Sequence, residues 1–272
     1  MEPLILAVES CDFANQPVCA PADVGELFIF KAFHGTQINK VVVLTFLAAL
    51  IVIALLYFGL RKPKLIPGKF QSMIESLVGF VRNEVAIGII GPEGIRYFPY
   101  LLSIFMLILI GNIFELTPLI NFPITSRMAL PAFLAIVTYL IFVVVGFAKN
   151  GLSYLGDIVW PRYVPVGMRP LVGLIEFFSY FFIRPFSLAV RLFANMVAGH
   201  VMLTLLLVTG WVFTSNLVVN YGEIGLKGVF GPAWFAFGLG IFVFELLVGV
   251  IQAYIFTLLS AVYIQSSVHP DH

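Results

Sequence analysis

Apolar positions run together in long blocks along this chain instead of alternating with polar ones, and the lengths of the blocks set the architecture. Residues 41–60 carry no charge; a helix of that length is about 30 Å long, enough for one bilayer crossing. Residues 97–117 form a second block, interrupted only by Asn112 and Glu115. Residues 129–148 form an uncharged third block. Residues 170–213 and 229–265 are each longer than the roughly 20 residues an upright span needs, and long apolar helices tilt. The pattern therefore predicts an all-α membrane protein with five membrane-crossing helices, the last two long, strongly tilted and paired as a hairpin around a loop near Tyr221–Lys227. Pro185 should kink the first of these two.

Residues 70–90 are apolar but hold Glu75, Arg82 and Glu84, too many charges for a span. They predict one amphipathic helix on the cytoplasmic surface. The basic cluster RKPKLIPGK at 61–69 marks the cytoplasmic end of the first span. The loop 149–170 carries Lys149, Arg162 and Arg169 on that same side. The expected topology is N-terminus outside and C-terminus cytoplasmic. Residues 1–40 form an outer-side tail, 41–265 a single membrane domain, and 266–272 a cytoplasmic tail.

Composition agrees with this picture and narrows it. The chain is 61% hydrophobic and 11% charged, with a net charge of +1. That excludes an ordinary soluble domain and gives no electrostatic basis for nucleic-acid binding. No GxxxxGK[ST] nucleotide loop occurs, and no Cys/His cluster suggests a metal or other cofactor. The two cysteines, Cys11 and Cys19, lie in the polar head of the chain, where a disulfide and two free thiols are both open readings. The N-terminus has Glu2 and Glu9 where a signal peptide would be basic, and its apolar run is too short for one.

The chemistry lies in a few polar groups inside the blocks. Arg191 stays charged at any accessible pH, and a cation at the bilayer centre costs about 2.5–3.5 kcal/mol by insertion scales. With Arg191 as the origin of a helix turning about 100° per residue, Arg184 falls near +20°, Ala198 near −20°, Ser187 near −40° and Asn195 near +40°, while His200 falls near 180°. One helix thus presents a fixed cation on a small, polar stripe and a titratable imidazole on the opposite face. On the next helix Glu245 and Gln252, seven residues apart, share a face. A histidine titrates near neutrality, and burial pushes a carboxyl toward neutrality; together they suit proton transfer. Arginine does not titrate, so it serves as a barrier to a proton and as an attractor for a carboxylate. No carboxylate is evident on the Arg191 face, which points to a partner on another subunit. Arg184 is open between this role and an anchor snorkelling to the interface. Asn195 and Gln252 are open between function and interhelical hydrogen bonding. Glu115, near a span end, and Glu176, near a helix start, are open between function and solvation.

Two stretches, RPFSLAVRLFANMVAGH (184–200) and VGVIQAYIFTLLSAVYI (248–264), resemble the membrane stator subunit a of F-type ATP synthases, and bacterial, actinobacterial members in particular. The likeness extends more loosely over 41–265. It implies a non-catalytic, proton-translocating subunit of the bacterial plasma membrane, with the ring of c subunits, the peripheral-stalk b subunits and lipid as its partners. It implies that Arg191 faces the ring carboxylate, with Gln252 and Asn195 as polar neighbours; Ser187, on the Arg191 stripe, is a further candidate for the same proton-translocation site. His200 and Glu245 would line the outer half-channel with Glu115 near its mouth, the acid and imidazole standing in exchanged positions relative to some members. Glu176 would serve the inner half-channel. It lies eight residues before Arg184, one more than in some bacterial relatives. Arg127 stands in the outer turn where the family often has an acid. A self-contained transporter would hold intramembrane charges too, but it should display paired internal repeats, and none is found.

Overall fold

The computed structural model describes residues 39–61, 67–117, 122, 124–151, 153–160, 164–219 and 230–268. Most of the N-terminal tail with Cys11 and Cys19, the middle of the basic cluster, Arg162, and the loop near Tyr221–Lys227 lie outside them. Every regular element described is helical: α1 (Lys40–Leu60), α2 (Lys69–Phe80), α3 (Phe98–Leu116), α4 (Ala129–Asn150), α5 (Ser153–Val159), α6 (Arg169–Phe178), α7 (Arg184–Val219) and α8 (Gly231–Val268). Five helices are long and apolar enough to cross a membrane: α1, α3, α4, the continuous run Arg169–Ser215, and α8. Five is the number of membrane-crossing helices that the apolar blocks predict.

Three local features depart from plain α-helix. The amphipathic segment starts as α2 and continues as a π-helix over Val81–Ile90, ended by Gly91 at φ 88° and followed by a 3-10 turn, Pro92–Arg96. Ile74, Val81, Val85, Ala86 and Ile90 are buried while Lys69, Glu75, Arg82 and Glu84 are exposed, the two-faced pattern its sequence predicts. The expected loop after α4 contains α5. Gly151, at φ 58°, closes α4 by donating to Phe147 O, a left-handed cap that glycine takes at little cost. Tyr154 and Ile158 of α5 are then buried. Burial holds the Tyr154 phenol well above its ordinary range, so it acts as a neutral hydrogen-bonding group with Ser267 Oγ at 3.0 Å. Finally, Ser179–Ile183 forms a π-turn between α6 and α7. Pro185 has no N–H, and its ring crowds the carbonyl four residues back; a wider turn upstream relieves both problems. The irregularity lies just before Pro185, at Ser179–Ile183, and Pro185 itself stands in the first turn of α7.

The described residues pack as two compact units. One comprises those within Met1–Thr45, Asn112–Ser126 and Ala194–Val250; the other, those within Phe46–Gly111, Arg127–Phe193 and Ile251–His272. The second unit holds the larger apolar core: Val81 and Val85, Leu101, Phe105 and Ile108, Phe142, Leu188 and Leu192, and Ala253, Phe256 and Ile264. Edge-on aromatic pairs extend it, Phe142 meeting Tyr139, Tyr180 and Tyr263, and a Tyr100–Thr138 hydroxyl contact of 2.7 Å crosses from α3 to α4. Many apolar side chains point outward, Phe46, Ile53, Phe58, Val144 and Phe186 among them. In water such a surface would aggregate; on helices of this length it is a lipid-facing surface.

Candidate functional site

In the first unit α3, the turn after it, α7 and α8 bring polar groups together. Asn112 and Glu115 lie one turn apart on α3, so both face inward. Asn112 Nδ2 donates to the Gly249 carbonyl at 2.9 Å, and its Oδ1 accepts from Thr125 Oγ1 at 3.4 Å. Glu115 Oε1 comes within 3.6 Å of His200 Nδ1, with only 2% and 5% of the two side chains exposed. That separation exceeds a direct hydrogen bond and suits an ion pair when the imidazole is protonated. The Phe122 ring stands edge-on to the imidazole, 6.3 Å between centroids.

Glu245 completes the group. A Cβ at Gly199 would overlap its carboxylate, so the carboxylate lies against bare backbone beside His200. Among the described residues, Glu115 Oε1 and Glu245 Oε2 are buried with no hydrogen-bond partner. Two desolvated carboxyls and an imidazole in one apolar unit do not all hold their charges cheaply. The group can instead hold and pass protons.

The other predicted residues form no such cluster. Asn195, in the same unit, is half-buried with Nδ2 buried and unbonded among the described residues. In the second unit Gln252 is buried, with Nε2 likewise unbonded. Arg191 is exposed and makes no hydrogen bond or ion pair with the described residues. Ser187 and Glu176 are half-buried. Sequence reasoning missed Asn112 as part of the polar group. Its spacing of three from Glu115 was the available signal, since both must share a helix face.

These features define a class: a multi-pass helical membrane protein with a buried cluster of two carboxyls and an imidazole, and a fixed cation left open on a spanning helix. A family model described as "ATP synthase A chain" matches residues 42–265. ATP synthase subunit a of Frankia alni is 39% identical over 238 residues, covering 86% of this chain and 79% of that protein. The subunits a of Cereibacter sphaeroides (36% over 239 residues, 88% of this chain and 84% of that protein) and Streptomyces lividans (34% over 262 residues, 90% and 86%) are similar too. The chain belongs to the ATP synthase subunit a family. Its role is in proton transport for ATP synthesis, in the membrane sector of that complex.

Proposed function

We propose that the chain provides two offset proton half-channels to the carboxylates of a rotating c-ring, and that Arg191 keeps the two paths apart. A proton enters from the outer side through Glu115, His200 and Glu245 and neutralises a ring carboxylate, which then turns into lipid. After nearly a full rotation the carboxylate meets the inner path near Glu176 and releases its proton. Arg191 attracts the ionised carboxylate and repels a proton that would pass straight through. The reading gives Gln252, Asn195 and Ser187 a supporting polar role in the same function. Moving one elementary charge across the membrane is worth about 2.3 kcal/mol per 100 mV, so several protons are needed for each ATP made by the catalytic subunits.

The observation that carries this reading is the buried approach of His200 to Glu115, with the Glu245 carboxylate on Gly199. Nothing in a passive scaffold calls for three ionisable groups in one apolar unit. An exposed Arg191 with no carboxylate beside it among the described residues fits a counter-charge on a partner, the c-ring. The proposal extends to peripheral-stalk b subunits as neighbours. It also places the protein in a bacterial plasma membrane, N-terminus outside and C-terminus cytoplasmic, with the α2 segment on the cytoplasmic surface, the two long helices tilted, residues 41–265 as one membrane domain and no catalytic step in this chain.

The test is Arg191→Ala in the intact complex, reconstituted in vesicles. Proton-driven ATP synthesis should vanish while the subunit still assembles, and passive proton leak should rise. Gln252→Leu should lose synthesis only in part. Normal synthesis with Arg191→Ala would remove the mechanism.

A further inference from the structure

Arg184 is a charge of the spanning segments that the pathway above does not use, and its surroundings are specific. Its guanidinium carbon lies 3.6 Å from the Tyr180 ring centroid and 5.2 Å from that of Tyr263. Nη1 donates to Ser266 Oγ at 3.1 Å. The Ser266 hydroxyl donates to Tyr263 O at 3.0 Å and meets the Tyr180 hydroxyl at 3.0 Å. With its one proton committed to the carbonyl, Ser266 accepts from both Arg184 and Tyr180, which uses its full bonding capacity. An arginine acting only as an interfacial anchor would reach for water and headgroups; this one folds inward onto the C-terminal end of α8. A planar guanidinium is suited to this, since it stacks on a ring and donates in its own plane at once.

The clamp sits at a weak joint. The π-turn Ser179–Ile183 ends where Arg184 begins, and Pro185 follows. The backbone there is less tightly hydrogen-bonded than in a regular α-helix, so α7 gains freedom to turn about its axis. Arg191 is seven residues beyond Arg184, on nearly the same face, about 20° away. Any rotation at the joint swings the Arg191 guanidinium with it.

We infer that Arg184 is a positioning residue: held by Tyr180, Tyr263 and Ser266, it fixes the rotation of α7 and so the direction in which Arg191 is presented. The inference rests on Arg191 acting as the barrier between the two proton paths. Loss of the clamp leaves the barrier residue in place but misaimed, so protons slip past without turning the rotor.

The experiment uses the intact complex in vesicles, with the content of this subunit measured in each preparation. Two quantities are read: protons pumped per ATP hydrolysed, and passive proton leak after the catalytic sector is stripped off. Arg184→Gln, at normal subunit content, should lower the pumping ratio several-fold and raise the leak. Arg184→Lys should recover at least half of the ratio, because an ammonium still sits on the Tyr180 ring and reaches Ser266. Tyr180→Leu should resemble Arg184→Gln, and it decides the matter if Arg184→Gln does not incorporate. Wild-type pumping and leak in Arg184→Gln, or in Tyr180→Leu where that variant decides, would overturn the inference. Equal losses in the Gln and Lys variants would overturn it too. Arg191→Ala is the reference: if that variant does not leak, the failure belongs to the barrier reading itself.

Discussion

His200 Nδ1 stands 3.6 Å from Glu115 Oε1, both side chains almost wholly withdrawn from the surface. These residues sit far apart in sequence, on α7 and α3. A separation just beyond direct bonding, in an apolar setting, lets a proton change hands when the ring turns slightly and closes the gap.

That pair predicts its own mutational signature. His200→Leu should depress proton-driven ATP synthesis on the order of 100-fold, the usual worth of a positioned proton carrier, with the subunit still assembled. Exchanging the two groups, His200→Glu with Glu245→His, should retain more synthesis than either single change. The acid and imidazole are neighbours across the Gly199 backbone, and their order matters less than their presence. Synthesis rates in inverted vesicles check both; a double exchange no better than the worse single variant would refute the relay.

Gly199→Ala separates packing from function. Helix propensity alone favours alanine by about 1 kcal/mol. The new Cβ would meet the Glu245 carboxylate, the far end of a flexible side chain that can move aside. Stability should therefore stay within about 1 kcal/mol of the parent, while proton transport falls because the carboxylate is displaced from His200. Gly210→Ala is the contrast: its Cβ would meet the backbone of Phe235, which cannot give way, and overpacking of this kind costs about 1–3 kcal/mol. Thermal unfolding in detergent, read beside transport, should move for Gly210 and not for Gly199.

Much of this was legible in the chain because lipid leaves few options. Long uncharged blocks become spans, and their limits appear in sequence where charge begins, as at Lys40 and Lys149. Arg191, His200 and Glu245 stand out because a charge or imidazole in such a block has no cheap explanation. What periodicity does not reveal is contact between distant segments. Asn112 reads as a minor interruption until its amide is found on the Gly249 carbonyl. Arg184 reads as an anchor until Tyr180 and Ser266 are found around it. The short helix α5 is also hidden in sequence, since Tyr154, Leu155, Ile158 and Val159 are all apolar and only tertiary packing settles that Tyr154 and Ile158 are the buried pair.

The interhelical hydroxyl contact in the second unit should matter little to transport. Tyr100 and Thr138 meet at 2.7 Å, and Thr138 Oγ1 also lies 2.9 Å from the Leu134 carbonyl as donor. Hydrogen bonds between membrane helices average about 0.6 kcal/mol in double-mutant cycles. Tyr100→Phe leaves Thr138 bonded to Leu134 and removes only the second interaction. A stability loss of about 0.5–1 kcal/mol is expected, with ATP synthesis unchanged. A large functional loss would place this hydroxyl pair on a proton route.

The π-turn Ser179–Ile183 predicts how α6 is phased against α7. Glu176 lies eight residues before Arg184, which on an unbroken α-helix would set it about 80° away. A π-turn encloses one more residue than an α-turn. Once that extra residue is discounted, Glu176 falls about 20° from Arg184 instead, in line with the stripe that carries Arg191. Deleting Phe182 should convert the π-turn to plain α-helix, keep Glu176 in phase and preserve a substantial part of proton-driven synthesis. Deleting Ala189 from regular α7 should rotate everything before it by about 100° relative to Arg191 and abolish synthesis. Cysteine labelling at position 176 reports the phase directly: its water accessibility should survive the first deletion and be lost in the second. Equal damage from both deletions would mean that the turn does not set the register of Glu176.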